Sequence, residues 1–210
     1  MRLHGYWRST AAWRVRIALN VKGMTAEHRF HHLRRSEQRD PEYLRLNPQG
    51  LVPTLELPNG AVITQSLAII EYLEETQPDP TLLPGDALTR AHIRAFALAI
   101  ACDVQPVQNL KVLNRLQVLG HGHDIAEAWA RETIAEGLAA CEALLPLNGG
   151  PFCFGAAPTL ADLCLVPQLF NARRFGLQLS ALPRLLAAEA AAMTLPAFQA
   201  AAPDRQPDRE

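Results

Sequence analysis

The chain has 210 residues, 49% of them apolar and 20% charged, which is material for one or two soluble domains with a proper core. Twenty Lys and Arg stand against 21 Asp and Glu, and a net charge of −1 offers no general handle for nucleic acid or an anionic membrane. The opening residues, MRLHGYWRST, hold no signal-peptide core, and no apolar run reaches membrane-spanning length, so a cytoplasmic enzyme or binding protein is expected. The four cysteines, Cys102, Cys141, Cys153 and Cys164, form no Cys-x-x-Cys pair and read as buried thiols rather than a disulfide framework or zinc site.

In chain order, MRLHGY is a short strand candidate. Trp13, Val15, Ile17, Ala18, Leu19 and Val21 then give the spacing of an amphipathic helix that Gly23 stops. EHRFHHL reads as a second strand, and RDPEYLRLNPQG, broken by Pro41 and Pro48, as a loop with a short helical turn. LVPTLELPNGAVIT is a hairpin whose turn is marked by Asn59-Gly60. QSLAIIEYLEETQP follows as a helix with Leu67, Ile69, Ile70 and Leu73 on its period. This order makes a small α/β domain over residues 1–79.

TQPDPTLLPGDA is a proline-rich linker, and beyond it the chain is helix-like and rich in Ala and Leu: about 87–119, 124–146, 159–174 and 182–200. Pro106 predicts a kink or break in the first of these. An all-helical domain is therefore expected over residues 87–202, followed by a polar, disordered tail, PDRQPDRE.

Candidate chemistry gathers where helices open. Ser9 and Thr10 form a hydroxyl pair between Arg8 and the first helix, a place suited to an anion, yet Ala11 stands where a reactive cysteine would be most useful. Ser66 opens another helix, and read locally it is an N-cap, as is Ser9. Arg14, Arg16 and Arg173 read as structural or solvated cations, the first two in ion pairs. His31-His32 would point to opposite faces of a strand, and the HGHD loop at 121–124 has no third soft ligand nearby, so no metal is expected.

A thioredoxin-like domain followed by an all-helical domain is the layout of the cytosolic glutathione transferases, and the chain resembles them along its whole length. The motifs that carry this are Val52-Pro53 before a strand, Gln65-Ser66 at a helix start, and TLADLCLVPQ with Thr159 and Asp162 as a capping box. RSTAAWRVRIALNVKG, VQPVQNLKVL and LVPQLFNARRFGLQLSALPRL narrow the resemblance to the zeta class, with Ser9-Thr10-Ala11 in place of that class's Ser-Ser-Cys.

The resemblance implies glutathione as cofactor and glutathione-dependent cis–trans isomerisation of maleylacetoacetate, or of maleylpyruvate in a close bacterial relative. It places the sulfur at Ser9, with Thr10 sharing the work, and the γ-glutamyl end at Gln65 and Ser66. Val52 would pair its backbone with the cysteinyl peptide, with Pro53 in the cis form, while Gln49 meets the glycine end and Gln108 reaches glutathione from the second domain. Arg8 and Arg174 would clamp the substrate's carboxylates, and Gln105, where the maleylpyruvate type would carry a histidine, would line the substrate pocket. A homodimer is implied. Two other readings stay open: a general transferase with dehalogenase activity, which a broad apolar pocket would favour, and a non-catalytic interaction protein, which tends to lose the sulfur-contacting hydroxyl.

Overall fold

The computed structural model describes residues 1–147 and 149–210, which pack as two units, Met1–Leu82 together with Met193–Glu210, and Leu83–Ala192. In the first unit β1 (Arg2–Gly5), α1 (Thr10–Val21) and β2 (Glu27–Phe30) form a parallel crossover, followed by α2 (Pro41–Leu46), β3 (Thr54–Glu56), β4 (Val62–Thr64) and α3 (Ser66–Thr76). The sheet order is β2-β1-β3-β4: β1 runs parallel to β2, with Leu3 opposite His28, and antiparallel to β3, with Leu3 opposite Leu55.

Leu3 and Leu55 are buried on one face of this sheet, and Ile17, Ile69, Ile70 and Leu73 are buried on the two helices, α1 and α3, which pack together. The hairpin turn differs from the two-residue loop that Asn-Gly suggests. Leu57 N donates to Ala61 O at 2.8 Å, so the loop is Pro58-Asn59-Gly60, and Gly60 alone takes the left-handed conformation, at φ +83°. Pro58 favours a type I turn at its own position, which moves the left-handed residue one place on.

Strand β2 is shorter than EHRFHHL promised. It stops at Phe30, and His32 instead caps a 3-10 turn, Leu33–Arg35, accepting from Arg35 N at 3.2 Å. Lys22, just past α1, is buried, and its Nζ donates to Glu74 Oε2 at 2.7 Å, Gln77 O at 2.6 Å and Pro80 O at 3.1 Å. One ammonium thereby ties the end of α1 to the end of α3 and to the linker. Burial works against the Glu74 carboxylate, but bonds from Lys22, Thr81 and the Leu82 N–H hold its pKa below the ordinary value.

The second unit holds α4 (Ala87–Leu98), α5 (Leu110–Val118), α6 (His123–Leu144), α7 (Leu160–Arg174) and α8 (Pro183–Ala192). The break expected near Pro106 is present: α4 passes into a π-helical turn, Ala99–Val104, and α5 starts afresh at its own cap, Asn109, whose Oδ1 accepts from Lys111 N at 3.0 Å. Helix α7 is buried along most of its length. At its start Asp162 accepts from Thr159 N at 2.8 Å, Thr159 Oγ1 at 3.0 Å and Cys153 N at 2.9 Å, so the Thr159–Asp162 box also pins the loop before the helix. Three cysteines are buried, as expected, but Cys102 is exposed.

The helix expected over 182–200 is two. After α8, Pro196 opens α9 (Pro196–Ala201), because proline suits a first turn and cannot continue a preceding helix. Helix α9 packs on α1 in the first unit. The tail is ordered rather than free: Pro203–Arg205 forms a 3-10 turn, Gln206 is buried, and Asp208 Oδ2 accepts from Trp7 N at 2.8 Å. Among the described residues no helix is long and apolar enough to cross a membrane.

Removing one partner of the buried Lys22–Glu74 pair strands the other charge. Glu74→Gln should therefore lower stability by about 3 kcal/mol at neutral pH, read by urea unfolding. The wild-type advantage should fade as pH falls through the depressed pKa of Glu74, because protonation then removes the same charge.

Candidate active site

Strand β1 leads straight into the loop Tyr6–Ser9, and Ser9 caps α1 by accepting from Ala12 N at 3.2 Å. The cap uses an oxygen lone pair, which leaves the hydroxyl proton of Ser9 to donate outward. Ser9 is half-buried, whereas Thr10, already inside the first turn, is buried. The guanidinium of Arg8 lies over the Trp7 ring, 5.3 Å from its centroid, a cation–π contact that holds it beside the helix opening. Burial lowers the Arg8 pKa, Tyr6 and Glu210 oppose that, and Arg34 adds to it.

Val52 and cis-Pro53 precede β3, and Val52 lies outside the ladder, whose β3 rungs begin at Thr54. What holds this corner is a buried polar network that the sequence did not reveal. Tyr43 Oη donates to Leu51 O at 2.6 Å and bonds Thr54 Oγ1 at 2.8 Å, while Asn47 Nδ2 donates to Leu51 O at 2.8 Å and to Thr54 Oγ1 at 3.3 Å. Tyr43 and Asn47, both braced by Thr54, thus fix the carbonyl immediately before Val52. The only advance signal was a tyrosine and an asparagine four apart at a helix bounded by prolines.

Gln49 and Gln65, 16 apart in sequence, meet: Gln65 Nε2 donates to Gln49 Oε1 at 2.9 Å. Gln65 adopts φ +71°, uncommon for a residue with a side chain, and this turn delivers Ser66 as the first residue of α3. Beneath Ser66 sits Arg14, 1% exposed, whose Nη1 donates to Ser66 Oγ at 3.4 Å. Helix opening, hydroxyl and guanidinium together concentrate positive potential and hydrogen-bond donors at the start of α3. Arg14, read from the sequence as a structural cation, is directed to the opening of α3, because α1 packs on α3 and leaves that direction for a long side chain. Arg16 was expected in an ion pair, but its guanidinium donates to the carbonyls of Ala201, Tyr6 and Trp7.

In the second unit, Arg174 Nη1 donates to Asn171 Oδ1 at 2.9 Å, and Asn171 Nδ2 donates to Gln108 Oε1 at 2.9 Å. Arg174 and Gln108, chosen separately from the sequence, are thus two ends of one relay. Asn171 was missed, although its place three residues before Arg174 on a buried helix was a signal. Gln105 ends the π-helical turn, half-buried, with its N–H on Ile100 O at 2.8 Å. Arg173 is exposed and pairs with Glu189.

His31 lies past the end of β2, and its Nε2 shares a hydrogen bond with His4 Nδ1 at 2.9 Å. Burial lowers the pKa of both rings; the neighbouring His31 lowers that of His4 further, and Glu37 and Asp40 partly restore that of His31. Among the described residues no group of three or more His, Cys, Asp or Glu is placed to hold a metal ion.

The family models for the glutathione S-transferase N-terminal domain and C-terminal domain match residues 8–76 and 112–191. The chain is 46% identical over 210 residues to the maleylacetoacetate isomerase of Pseudomonas aeruginosa, covering 99% of this chain and 98% of that one. A holo structure of a bacterial zeta-class maleylpyruvate isomerase superposes with a TM-score of 0.96 at 43% identity, covering 100% of both chains. The maleylacetoacetate isomerase of Methylobacterium extorquens AM1, solved with bound malonate and glutathione, gives a TM-score of 0.96 at 38% identity, again covering 100% of both chains.

Because the folded pKa values of His4 and His31 are depressed, their contribution to stability is complete above the ordinary histidine value of about 6.5 and is lost as pH falls through the folded values. The urea midpoint should fall on going from neutral to mildly acidic pH. His31→Gln should flatten that dependence.

Proposed function

The chain belongs to the glutathione S-transferase family, and we propose that it is a glutathione-dependent cis–trans isomerase converting maleylacetoacetate to fumarylacetoacetate in aromatic amino-acid catabolism. The observation that carries this reading is the opening of α1: a serine hydroxyl with its proton free to donate, a guanidinium beside it, and Ala11 where a protein nucleophile would stand. A site built in this way stabilises a thiolate brought in by a cofactor.

The residues present fit glutathione. Arg14, Ser66 and the first N–H groups of α3 suit the γ-glutamyl carboxylate, with Gln65 beside them. Val52, outside the ladder and followed by cis-Pro53, offers backbone groups to a peptide in the manner of an added strand. Gln49 is assigned to the glycine end and Gln108 to glutathione from the second unit. Bound glutathione supplies a thiolate that adds reversibly to the cis double bond, lets the resulting single bond rotate, and is expelled unchanged.

The chain's own part is electrostatic. Ser9 donates to the sulfur, Thr10 supports it, and the N-terminus of α1 favours the anion, so the thiol ionises below its free value of about 8.5. Arg8 binds one substrate carboxylate and stabilises negative charge that develops on the conjugated carbonyl. Arg174, oriented by Asn171, is assigned a substrate carboxylate, and Gln105 a place in the substrate pocket. Malonate, bound in the Methylobacterium extorquens relative, is itself a small dicarboxylate.

Gln105 favours maleylacetoacetate over maleylpyruvate, whose isomerase the resemblance expects to carry a histidine there. The similarity to a named maleylpyruvate isomerase keeps that substrate as the second reading. We further propose a cytoplasmic location and a homodimer.

The test is ultraviolet-monitored isomerisation of maleylacetone with and without glutathione. Turnover should depend strictly on glutathione, and Ser9→Ala should lower kcat by about 10- to 100-fold. Arg8→Ala should lower kcat/KM by a similar factor. Ala11→Cys should leave the dependence on glutathione intact. Turnover without glutathione would overturn the reading, and glutathione binding without isomerisation would leave a transferase of other electrophiles.

A further inference from the structure

Trp7 is gripped on both of its backbone groups. Its N–H donates to Asp208 Oδ2 at 2.8 Å, and its carbonyl accepts from Arg16 Nη2 at 2.9 Å. The neighbouring Tyr6 carbonyl accepts from Ser9 N at 3.0 Å and from Arg16 Nη1 at 3.4 Å. Arg16 also donates through Nε to Ala201 O at 3.1 Å, so one guanidinium joins this loop to the end of α9.

The segment that delivers Asp208 is itself fixed. Gln206 is buried, and its Nε2 donates to Ala200 O at 3.0 Å and Ala202 O at 2.9 Å. Past Asp208, the Glu210 carboxylate pairs with His32, the cap of the 3-10 turn that follows β2. Burial lowers the Arg16 pKa to about 10, and Asp208 opposes that fall, so the two charges that hold Trp7 support each other.

Trp7 lies between β1 and α1, where its N–H belongs to neither ladder nor helix. The next two residues are Arg8 and Ser9. A carboxylate on the Trp7 N–H therefore sets the path of the backbone that aims a guanidinium and a hydroxyl, and a misplacement of about 1 Å at such a site can cost about 100-fold in rate.

We propose that Asp208 is a positioning residue of the reaction: by holding the Trp7 N–H it fixes the loop from which Arg8 and Ser9 work. This rests on the reading that Ser9 receives the glutathione sulfur. The 203–210 segment thus belongs to the catalytic apparatus of the first unit, although none of its side chains is assigned to substrate or cofactor. An acceptor oxygen at position 208 is the chemical requirement, and the negative charge is secondary.

The experiment titrates the thiol of glutathione bound to the full chain by its ultraviolet thiolate absorbance, alongside kcat and KM for maleylacetone and the Tm. Asp208→Ala should raise the bound thiol's pKa by about one unit, the worth of one hydrogen bond to a charged group. It should lower kcat about tenfold with a smaller change in KM. Asp208→Asn keeps an acceptor and should restore both values to within about twofold of wild type.

If Asp208→Ala keeps the wild-type thiol pKa and kcat, whatever its Tm, Asp208 only anchors the fold and the proposal is overturned. Should Asp208→Ala fail to fold, Asp208→Glu, with the carboxylate one methylene further out, reads the same titration: a raised thiol pKa supports positioning and an unmoved one overturns it. Ser9→Ala, measured beside them, separates the two ideas. A Ser9→Ala effect without an Asp208→Ala effect removes only the role of Asp208, whereas an unmoved thiol in Ser9→Ala removes the site reading and this proposal with it.

Discussion

Two guanidinium groups buried on one helix organise the first unit. Arg14 and Arg16 are separated by a single residue on α1, so their side chains leave the helix on opposite sides, one towards α3 and the other towards the Tyr6–Ser9 loop and α9. A buried charge is tolerated only when its donors are answered. Arg16 donates to three carbonyls and Arg14 Nη1 to Ser66 Oγ, so the two guanidinium groups reach the Tyr6–Ser9 loop, the end of α9 and the start of α3. The helix that opens at Ser9 thus also sets the loop before it and the start of α3.

The same economy of parts appears at the corner before β3. Tyr43, Asn47 and Thr54 converge around Leu51 O, and the next two residues are Val52 and cis-Pro53. Val52, proposed to pair with a peptide ligand, is not tied into the sheet, so its orientation comes from its neighbours. Side-chain hydrogen bonds to the carbonyl just upstream supply that orientation while leaving Val52 outside the ladder.

In the second unit the arrangement is a relay along a buried helix. Arg174 is exposed, but Asn171 holds it from below and in turn engages the buried Gln108. A long, flexible cation gains a preferred direction in this way, which lowers the entropy lost on ordering it and suits the carboxylate clamp proposed for Arg174. The absence of a cysteine at position 11 fits the same logic. A chain that works on a borrowed thiol needs hydrogen-bond donors and positive charge around the sulfur, the part proposed for Ser9, the opening of α1 and Arg8.

Local pattern determined much of this protein. The β-α-β then β-β-α order, the break at Pro106, the Thr159–Asp162 box and the helix openings at Ser9 and Ser66 are each decided by residues within a few positions of one another, so periodicity, caps and prolines disclose them. The motifs around Ser9, Val52-Pro53 and Gln65-Ser66 likewise disclosed the family. Only the tertiary structure decided where the buried polar groups find partners. Asp208 meets Trp7 across 201 positions, Arg16 meets Ala201 across 185, and Arg14 meets Ser66 across 52. It also placed α9 with the first unit and ordered a tail whose composition reads as disordered. The physical reason is one of range: polarity and proline content report whether a segment can fold by itself, whereas a carboxylate or guanidinium is satisfied by whichever backbone group the completed fold brings to it.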